Sequence, residues 1–266
     1  MAAVGFVITL AVALAFGLTG DVVAQEQIKP GKRRIVGGQE ASIKDHRWQI
    51  ALQFQGAFAC GGSIVADRWI LTAAHCFNVS AREKDWRVRS GATGQVGEGS
   101  WKELDKIVVH RGYDPTTFEN DIALVRTKSL LAGGNVIELA SDDTGLLGGQ
   151  LLEITGWGAT QFGGGGSAKL LKASVPYVDA AVCNASESYD GRIKGGMLCA
   201  GFREGGVDAC QGDSGGPLVS RTSGVPVLIG VVSFGERCAE RLKYGVYTRV
   251  SAYRSWIDSV FASQAK

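Results

Sequence analysis

This chain of 266 residues contains few prolines and histidines, and its basic and acidic side chains nearly balance. It contains five prolines and three histidines, and 28 basic against 26 acidic side chains leave a net charge of only +2. So small a charge gives no electrostatic reason to bind nucleic acid or an anionic membrane. Few prolines beside 38 glycines, many of them between short apolar runs, are typical of an all-β chain with many turns.

No segment beyond residue 18 approaches the length of a membrane span. Residues 2–18, "AAVGFVITLAVALAFGL", are continuously apolar, and small residues follow at 22–24. The pattern predicts a secretory signal peptide over residues 1–24, although no Lys or Arg precedes the apolar run. An uncleaved membrane anchor is the alternative, disfavoured because the run is short and lacks flanking charges.

The chain also lacks any Cys-x-x-Cys pair, and its three histidines are far apart. Both absences disfavour a zinc site. An even number of cysteines behind a signal peptide instead predicts disulfides and secretion, to the extracellular space or the periplasm. The pairing stays open, because six cysteines allow 15 connectivities. The cysteines are Cys60, Cys76, Cys183, Cys199, Cys210 and Cys238.

Segments rich in β-branched and aromatic residues predict strands. Their spacing suits antiparallel sheet closed into barrels, which removes exposed edges. The "GGGG" run at 163–166 predicts a surface loop, because no Lys-Ser/Thr follows it as in a phosphate-binding loop. The predicted strand segments are 48–55, 62–73, 149–158, 225–235 and 244–250.

The C-terminus has helical periodicity instead. Apolar residues recur with the spacing of one helix face, and Ser251 is a candidate N-cap. We expect this helix to dock on a barrel and to hold the end of the chain. The apolar positions are Tyr253, Trp256, Ile257, Val260 and Phe261.

Ser214 lies in "GDSGGP", where flanking glycines permit a sharp turn and close approach of a substrate. A serine hydroxyl is a weak nucleophile until a base takes its proton, so a histidine is required. His75 in "LTAAHC", next to a cysteine, is one candidate. His110 is predicted at a strand end or turn, and His46 is predicted at the surface.

Six motifs together resemble the chymotrypsin-like (trypsin-type) serine proteases, and they run in that family's order from residue 35 to the C-terminal helix. The resemblance implies two six-stranded antiparallel β-barrels, in lobes of roughly 35–130 and 131–266, with the active-site cleft between them. It also implies the disulfides Cys60–Cys76, Cys183–Cys199 and Cys210–Cys238. The motifs are "IVGGQEA", "CGGSIVADRWILTAAHC", "NDIALV", "GWG", "CQGDSGGPLV" and "GVYTRVSAYRSWI".

The resemblance implies a catalytic triad of His75, Asp121 and Ser214. Ser214 would attack the scissile carbonyl, His75 would accept and return the proton, and Asp121 would orient His75. The backbone N–H groups of Gly212 and Ser214 would form the oxyanion hole.

The same resemblance implies a pocket for Arg or Lys at the cleaved position. Asp208 would lie at its floor, where a buried carboxylate requires a cation. Ala209 stands where many trypsins have serine, which we expect to favour Arg over Lys. The substrate-binding residues implied are Asp208, Ala209, Ser233, Gly235 and Gly245.

"GKRRIVGG" resembles the family's activation site, which makes 25–34 a propeptide and 35–266 the protease domain. Cleavage after Arg34, by another protease or by the enzyme itself, would free the amino group of Ile35 to pair with Asp213. We expect a bell-shaped pH profile, because His75 must be neutral and this amine protonated. Protein or peptide substrates and protein inhibitors are the expected partners.

No cofactor or metal is expected. The "ATGQVGEGS" segment replaces the acid-rich loop that binds calcium in many trypsins. The sequons "NVS" at Asn78 and "NAS" at Asn184 are candidate glycosylation sites. The rival hypotheses are a non-catalytic relative, disfavoured because every motif residue is present, and an enzyme for apolar residues, disfavoured by Asp208.

Overall fold

The computed structural model describes Met1 and residues 35–77, 82–94, 99, 101–142 and 145–264. The chain divides into the units Met1–Gly31 and Lys32–Lys266, and everything described below lies in the second. The predicted signal peptide, the propeptide with Arg34 and the Asn78 sequon lie outside the described residues.

Strands dominate the described part of the chain, as the sequence predicted. The strands are β1 (Gln39–Glu40), β2 (Gln49–Phe54), β3 (Ala57–Ala66), β4 (Trp69–Thr72), β5 (Trp86–Ser90), β6 (Trp101–Val109), β7 (Ala123–Thr127), β8 (Glu138–Leu139), β9 (Leu151–Gly156), β10 (Leu171–Val178), β11 (Met197–Ala200), β12 (Pro217–Ser220), β13 (Val227–Phe234) and β14 (Gly245–Arg249). The α-helices are α1 (Ala180–Cys183) and α2 (Arg254–Gln264), and 3-10 turns lie at Ile43–Asp45, Ala74–Cys76, Glu83–Asp85 and Val250–Tyr253.

The strands close into two six-stranded antiparallel barrels. The first has the order β2-β3-β4-β7-β6-β5. The second has the order β9-β10-β11-β14-β13-β12 and closes through the pairing of β12 with β9. The predicted all-β, two-barrel fold is confirmed. β1 pairs with β10, so the segment that begins at Ile35 adds to the second barrel although it precedes the first.

The predicted strand segment 62–73 is in fact parts of two strands. β3 and β4 pair as a hairpin around a turn at Asp67 and Arg68. The prediction merged them because neither residue is a glycine or proline, the usual signals of a turn.

Helix α2 packs on a core shared by the two barrels. Ile257 and Val260 are buried with side chains from both barrels, including Leu124 and Val231. The predicted apolar face is therefore confirmed. Ser251 is not the N-cap, however, because a 3-10 turn occupies 250–253 and the α-helix begins at Arg254, two residues later than predicted.

All three implied disulfides are present: Cys60–Cys76, Cys183–Cys199 and Cys210–Cys238. The first closes a loop of about 15 residues, which in the chain-entropy model stabilises the fold by about 3 kcal/mol. It also holds the 3-10 turn that contains His75.

The prediction that His46 lies at the surface is wrong, because the residue is 1% exposed. Its Nδ1 lies 2.8 Å from the Ser42 carbonyl oxygen and its Nε2 lies 3.1 Å from Glu153 Oε1. His46 thus links the segment before the first barrel to the second barrel. His110 follows the end of β6, as predicted.

The sequence predicted no membrane-spanning segment beyond residue 18. Within the described residues, no helix has both the length and the apolar character that crossing a bilayer requires.

Candidate active site

One cavity of about 240 Å³ collects most of the residues predicted for the site. The first half of the chain contributes His75 and Phe118 to its lining. The second half contributes the remaining residues that matter here: Asp208, Ala209, Ser214, Ser233, Phe234, Gly235, Arg237 and Gly245. The cavity therefore lies where the two barrels meet.

His75 and Asp121 form a doubly hydrogen-bonded pair. His75 lies in the 3-10 turn after β4, and Asp121 lies just before β7, the strand that pairs with β4. The backbone N–H of His75 donates to Asp121 Oδ1 at 2.9 Å, and its Nδ1 lies 2.8 Å from Asp121 Oδ2. Since the second contact makes Nδ1 the donor, the neutral ring keeps Nε2 free to accept a proton.

Two more groups from the second barrel fix Asp121, which is completely buried. The Ser233 hydroxyl donates to Asp121 Oδ2 at 2.5 Å, and Thr248 Oγ1 donates to the Asp121 carbonyl at 2.6 Å. The sequence assigned Ser233 to substrate binding. It does line the cavity, but its hydroxyl is directed at the carboxylate, a contact between β13 and residue 121 that no local motif signals.

The turn that carries Ser214 packs tightly against the first barrel. The Gly61 N–H donates to the Ser214 carbonyl at 2.8 Å. Gly215 has φ 77°, and a Cβ there would lie 2.1 Å from Thr72 Oγ1 and 2.7 Å from the Gly61 carbonyl. A Cβ at residue 215 would overlap atoms of the first barrel, so only glycine allows the turn of Ser214 to lie this close to the barrel that carries His75.

The backbone N–H groups of Gly212 and Ser214 have no acceptor among the described residues. Gly212 has φ 92°, and a Cβ at that residue would meet Gly158 Cα at 3.2 Å and the Phe58 ring at 3.3 Å. Two free amides on one turn can act as donors to a developing oxyanion.

Asp208 is a buried carboxylate with an unused oxygen. The residue is 3% exposed; its Oδ2 accepts from the Ala239 N–H at 3.1 Å, whereas Oδ1 has no hydrogen-bond partner. Burial raises the pKa of this carboxyl to about 7. Because a buried oxygen without a donor is costly, the floor of the cavity favours a cationic ligand.

Gly235 and Gly245 leave the space above Asp208 open, but to different degrees. A Cβ on Gly245 would lie 2.7 Å from Asp208 Oδ1 and 3.0 Å from the Tyr247 hydroxyl. A Cβ on Gly235 would have no neighbour closer than 3.9 Å. The Cys210–Cys238 disulfide joins two walls of the cavity, and Ala209 lies beside it.

Asp213 points away from the cavity into the second barrel. Its oxygens accept from the backbone N–H groups of Gly158 at 2.8 Å and Cys210 at 3.0 Å, and burial raises the pKa of the carboxyl to about 6. Ile35 is completely buried in the core of the same barrel.

Phe118 was missed by the sequence analysis. It has φ 59° and its ring packs on His75 at 5.8 Å and on Phe234 at 5.2 Å between ring centroids. Phe118 and Phe234 form an aromatic wall beside the pair of His75 and Asp121. A loop phenylalanine three residues before Asp121 carries no pattern that would have revealed this contact.

Potential metal ligands come together at one place within the described ranges. A nitrogen of His75 and the sulfurs of Cys60 and Cys76 lie within 4.8 Å of one another. Both sulfurs belong to a disulfide, so neither is available as a thiolate ligand.

Two closed antiparallel barrels with an aspartate, a histidine and a serine at their junction define the class of chymotrypsin-like serine hydrolases. The family model described as Trypsin matches residues 35–257, and the chain therefore belongs to the trypsin family.

A curated relative has a similar sequence. The chain is 38% identical over 254 residues to "Transmembrane protease serine 11C" from Mus musculus. The matched region is 94% of this chain and 59% of that relative, so the chain spans a little over half of the relative's length.

Proposed function

We propose that this chain is a secreted trypsin-like serine endopeptidase that cleaves peptide bonds after Arg and Lys, made as a zymogen and activated by cleavage after Arg34. The observation that carries the proposal is the unpaired Oδ1 of Asp208 in the same cavity as His75 and Ser214. A guanidinium or ammonium group that enters this cavity gains a buried partner, whereas an apolar side chain leaves the carboxylate desolvated and unpaired.

The triad then works as follows. Ser214 Oγ attacks the scissile carbonyl while His75 Nε2 takes its proton, and the amides of Gly212 and Ser214 stabilise the oxyanion. His75 returns the proton to the leaving amine as the acyl-enzyme forms. Water, deprotonated by the same nitrogen, hydrolyses the ester and regenerates Ser214. Asp121 holds the ring in the required tautomer and stabilises its cation.

Activation rests on Ile35 and Asp213. In the second barrel the Asp213 carboxylate accepts two amide hydrogen bonds, and Ile35 is buried in the adjoining core. Ile35 has φ 49°, an unfavourable value for a β-branched residue whose amide is still bonded to residue 34. Cutting that bond removes the constraint and supplies a cation for Asp213. Because Asp213 precedes Ser214, the ion pair would order the turn that holds both oxyanion donors.

The test begins with the intact chain, the same chain cut after Arg34, and an Arg34→Gln variant that resists the cut. N-terminal sequencing should identify Ile35 in the cut protein. We expect cleavage of Arg and Lys peptides only after the cut, at least about 100-fold better than of matched Gln or Phe peptides. Ser214→Ala is the blank.

A cut enzyme that prefers Phe would contradict the assignment of Asp208 and favour a specificity for apolar residues. Complete inactivity of a folded protein with a confirmed Ile35 terminus would favour a non-catalytic relative. Full activity of the Arg34→Gln chain would contradict the zymogen.

A further inference from the structure

Arg237 is an unusual residue in the wall of the substrate cavity. It has φ 57°, in the left-handed region that any side chain adopts less readily than glycine. It also lines the cavity whose floor is Asp208. Ala239 and Leu242 of the same loop also have positive φ, 59° and 64°, so this conformation belongs to the loop as a whole. What distinguishes Arg237 from these two residues is that it lines the cavity.

The wall that ends at Arg237 begins at the catalytic groups. Ser233 contacts Asp121, and the wall then continues through Phe234 and Gly235 along the end of β13. A substrate whose scissile carbonyl lies at Ser214 and whose cleaved side chain enters the cavity would extend along this wall as an added strand. The residues before the cleaved bond would then pass close to Arg237.

The charges around the mouth leave Arg237 as the cation most available to a substrate. Its nearest anion is Glu240, at 3.6 Å, with side-chain exposures of 71% and 45% for the two residues. So exposed a pair is weak and easily exchanged. The neighbouring Glu236 is already neutralised by ion pairs with Arg192 and with Lys243.

From this arrangement we propose that Arg237 selects peptide substrates with an acidic side chain at the second, third or fourth residue before the cleaved bond. The residue whose carbonyl is cleaved counts as the first. The inference rests on the proposed function, since it assigns a second specificity element to the same site. The carboxylate of the substrate would exchange with Glu240 for the guanidinium, which can bind it with two parallel hydrogen bonds.

The experiment compares kcat/KM for matched peptides with Arg at the cleaved position and either Glu or Gln at the second, third or fourth position. We expect Glu to exceed Gln by about two- to fivefold at one of these positions at low salt. The ratio should shrink towards one at high salt, because the contact is exposed. Arg237→Gln should remove the preference for Glu. In Arg237→Glu, matched peptides with Lys at the same position should be cleaved faster than those with Gln.

Arg241→Gln is the matched control, because Arg241 is an exposed arginine of the same loop that does not line the cavity. The control should keep the Glu preference. Each ratio is measured within one variant, so partial loss of folded enzyme does not affect it. Equal rates for Glu and Gln at all three positions, or a Glu preference that survives in Arg237→Gln, would overturn the inference and leave the proposed function intact. Failure of the wild-type enzyme to cleave any Arg peptide would instead reject the proposed function.

Discussion

Asp121 and Asp208 are both buried carboxylates of the same site, and their surroundings are opposite. Asp121 accepts from the backbone and ring of His75 and from the Ser233 hydroxyl. Asp208 leaves Oδ1 without a partner. A carboxylate whose acceptors are filled by the protein holds another side chain in place, whereas one with an empty acceptor is prepared for a ligand.

The contrast has an energetic side. The fixed hydrogen bonds of Asp121 are already made before a substrate arrives, so they cost no reorganisation during the reaction. Asp208 differs, because burying a carboxylate oxygen without a hydrogen-bond donor is unfavourable for the folded protein. Burial of Asp208 is thus unfavourable for the folded protein, whereas both carboxylate oxygens of Asp121 have hydrogen-bond donors.

The largest expected effect is that of removing the charge at Asp121. In Asp121→Asn the amide can no longer fix the required tautomer of His75, so we expect kcat to fall by about 10⁴-fold with little change in KM. Steady-state kinetics on an Arg peptide, with circular dichroism as the folding control, would measure this. A loss of less than tenfold would remove Asp121 from the catalytic machinery.

Asp208→Ser should separate specificity from stability. Without the buried carboxylate, kcat/KM for Arg and Lys peptides should fall by about 10²–10⁴-fold, the cost of leaving a buried cation unpaired. The variant should nevertheless be at least as stable as the wild type, because an unpaired buried carboxylate is removed. Thermal unfolding and peptide kinetics test both halves, and a strong loss of stability would mean that Asp208 is a structural residue.

The same variant gives a pH test with a defined sign. The pKa of Asp208 is raised to about 7 in the folded protein, against 3.8 as its ordinary value, because of burial. The folded state therefore binds the proton more tightly, and this residue makes the protein less stable as the pH rises from about 4 to 7. Unfolding free energies measured across this window should decline less in Asp208→Ser, by on the order of a few kcal/mol at pH 7. Parallel curves would contradict the raised pKa.

Two glycines sharpen the comparison at smaller scale. Gly245→Ala places a methyl group against Asp208 Oδ1 at 2.7 Å, so kcat/KM for Arg peptides should drop by about tenfold or more. Gly235→Ala has no contact closer than 3.9 Å and should change it by less than about threefold. The pair is matched, since both residues line the same cavity. Equal losses would show that the space above the carboxylate is not what decides binding.

The smallest effect concerns Asn184, whose side-chain oxygen and nitrogen both have hydrogen-bond partners, as the carboxylate oxygens of Asp121 do. Its Nδ2 donates to the Ile193 carbonyl and its Oδ1 accepts from the Ile193 N–H, both at 2.8 Å. A glycan on Nδ2 would replace one of its two hydrogens and would have to fit beside the Ile193 carbonyl, so we expect the "NAS" sequon to stay unmodified in a glycosylating host. Mass spectrometry of the protein expressed in such a host tests this, and Asn184→Ala should cost about 1–3 kcal/mol of stability. Occupancy at Asn184 in folded protein would contradict the prediction.

Much of the protein was determined by the sequence itself. The motifs around His75 and Ser214 are short local patterns, and they identified the family. The resemblance to that family then implied the two barrels and the three disulfides, whose pairing the six cysteines alone left open. The turn of Ser214 is an example. A Cβ at residue 215 would lie 2.1 Å from Thr72 Oγ1, and the glycine that avoids this clash can be read directly from the sequence. The apolar face of α2 was equally visible in its periodicity.

Only the tertiary structure decided which side chains meet over long separations in the chain. The buried link from His46 to Glu153, the hydroxyl of Ser233 on Asp121, and the packing of Phe118 on His75 join residues 107, 112 and 43 positions apart. No local pattern records such a contact, because partner choice at that separation is fixed by how the two barrels close and pack. Asp208 is another example. Its position in the motif was visible in the sequence, but only the tertiary structure showed that its Oδ1 is buried without a hydrogen-bond partner.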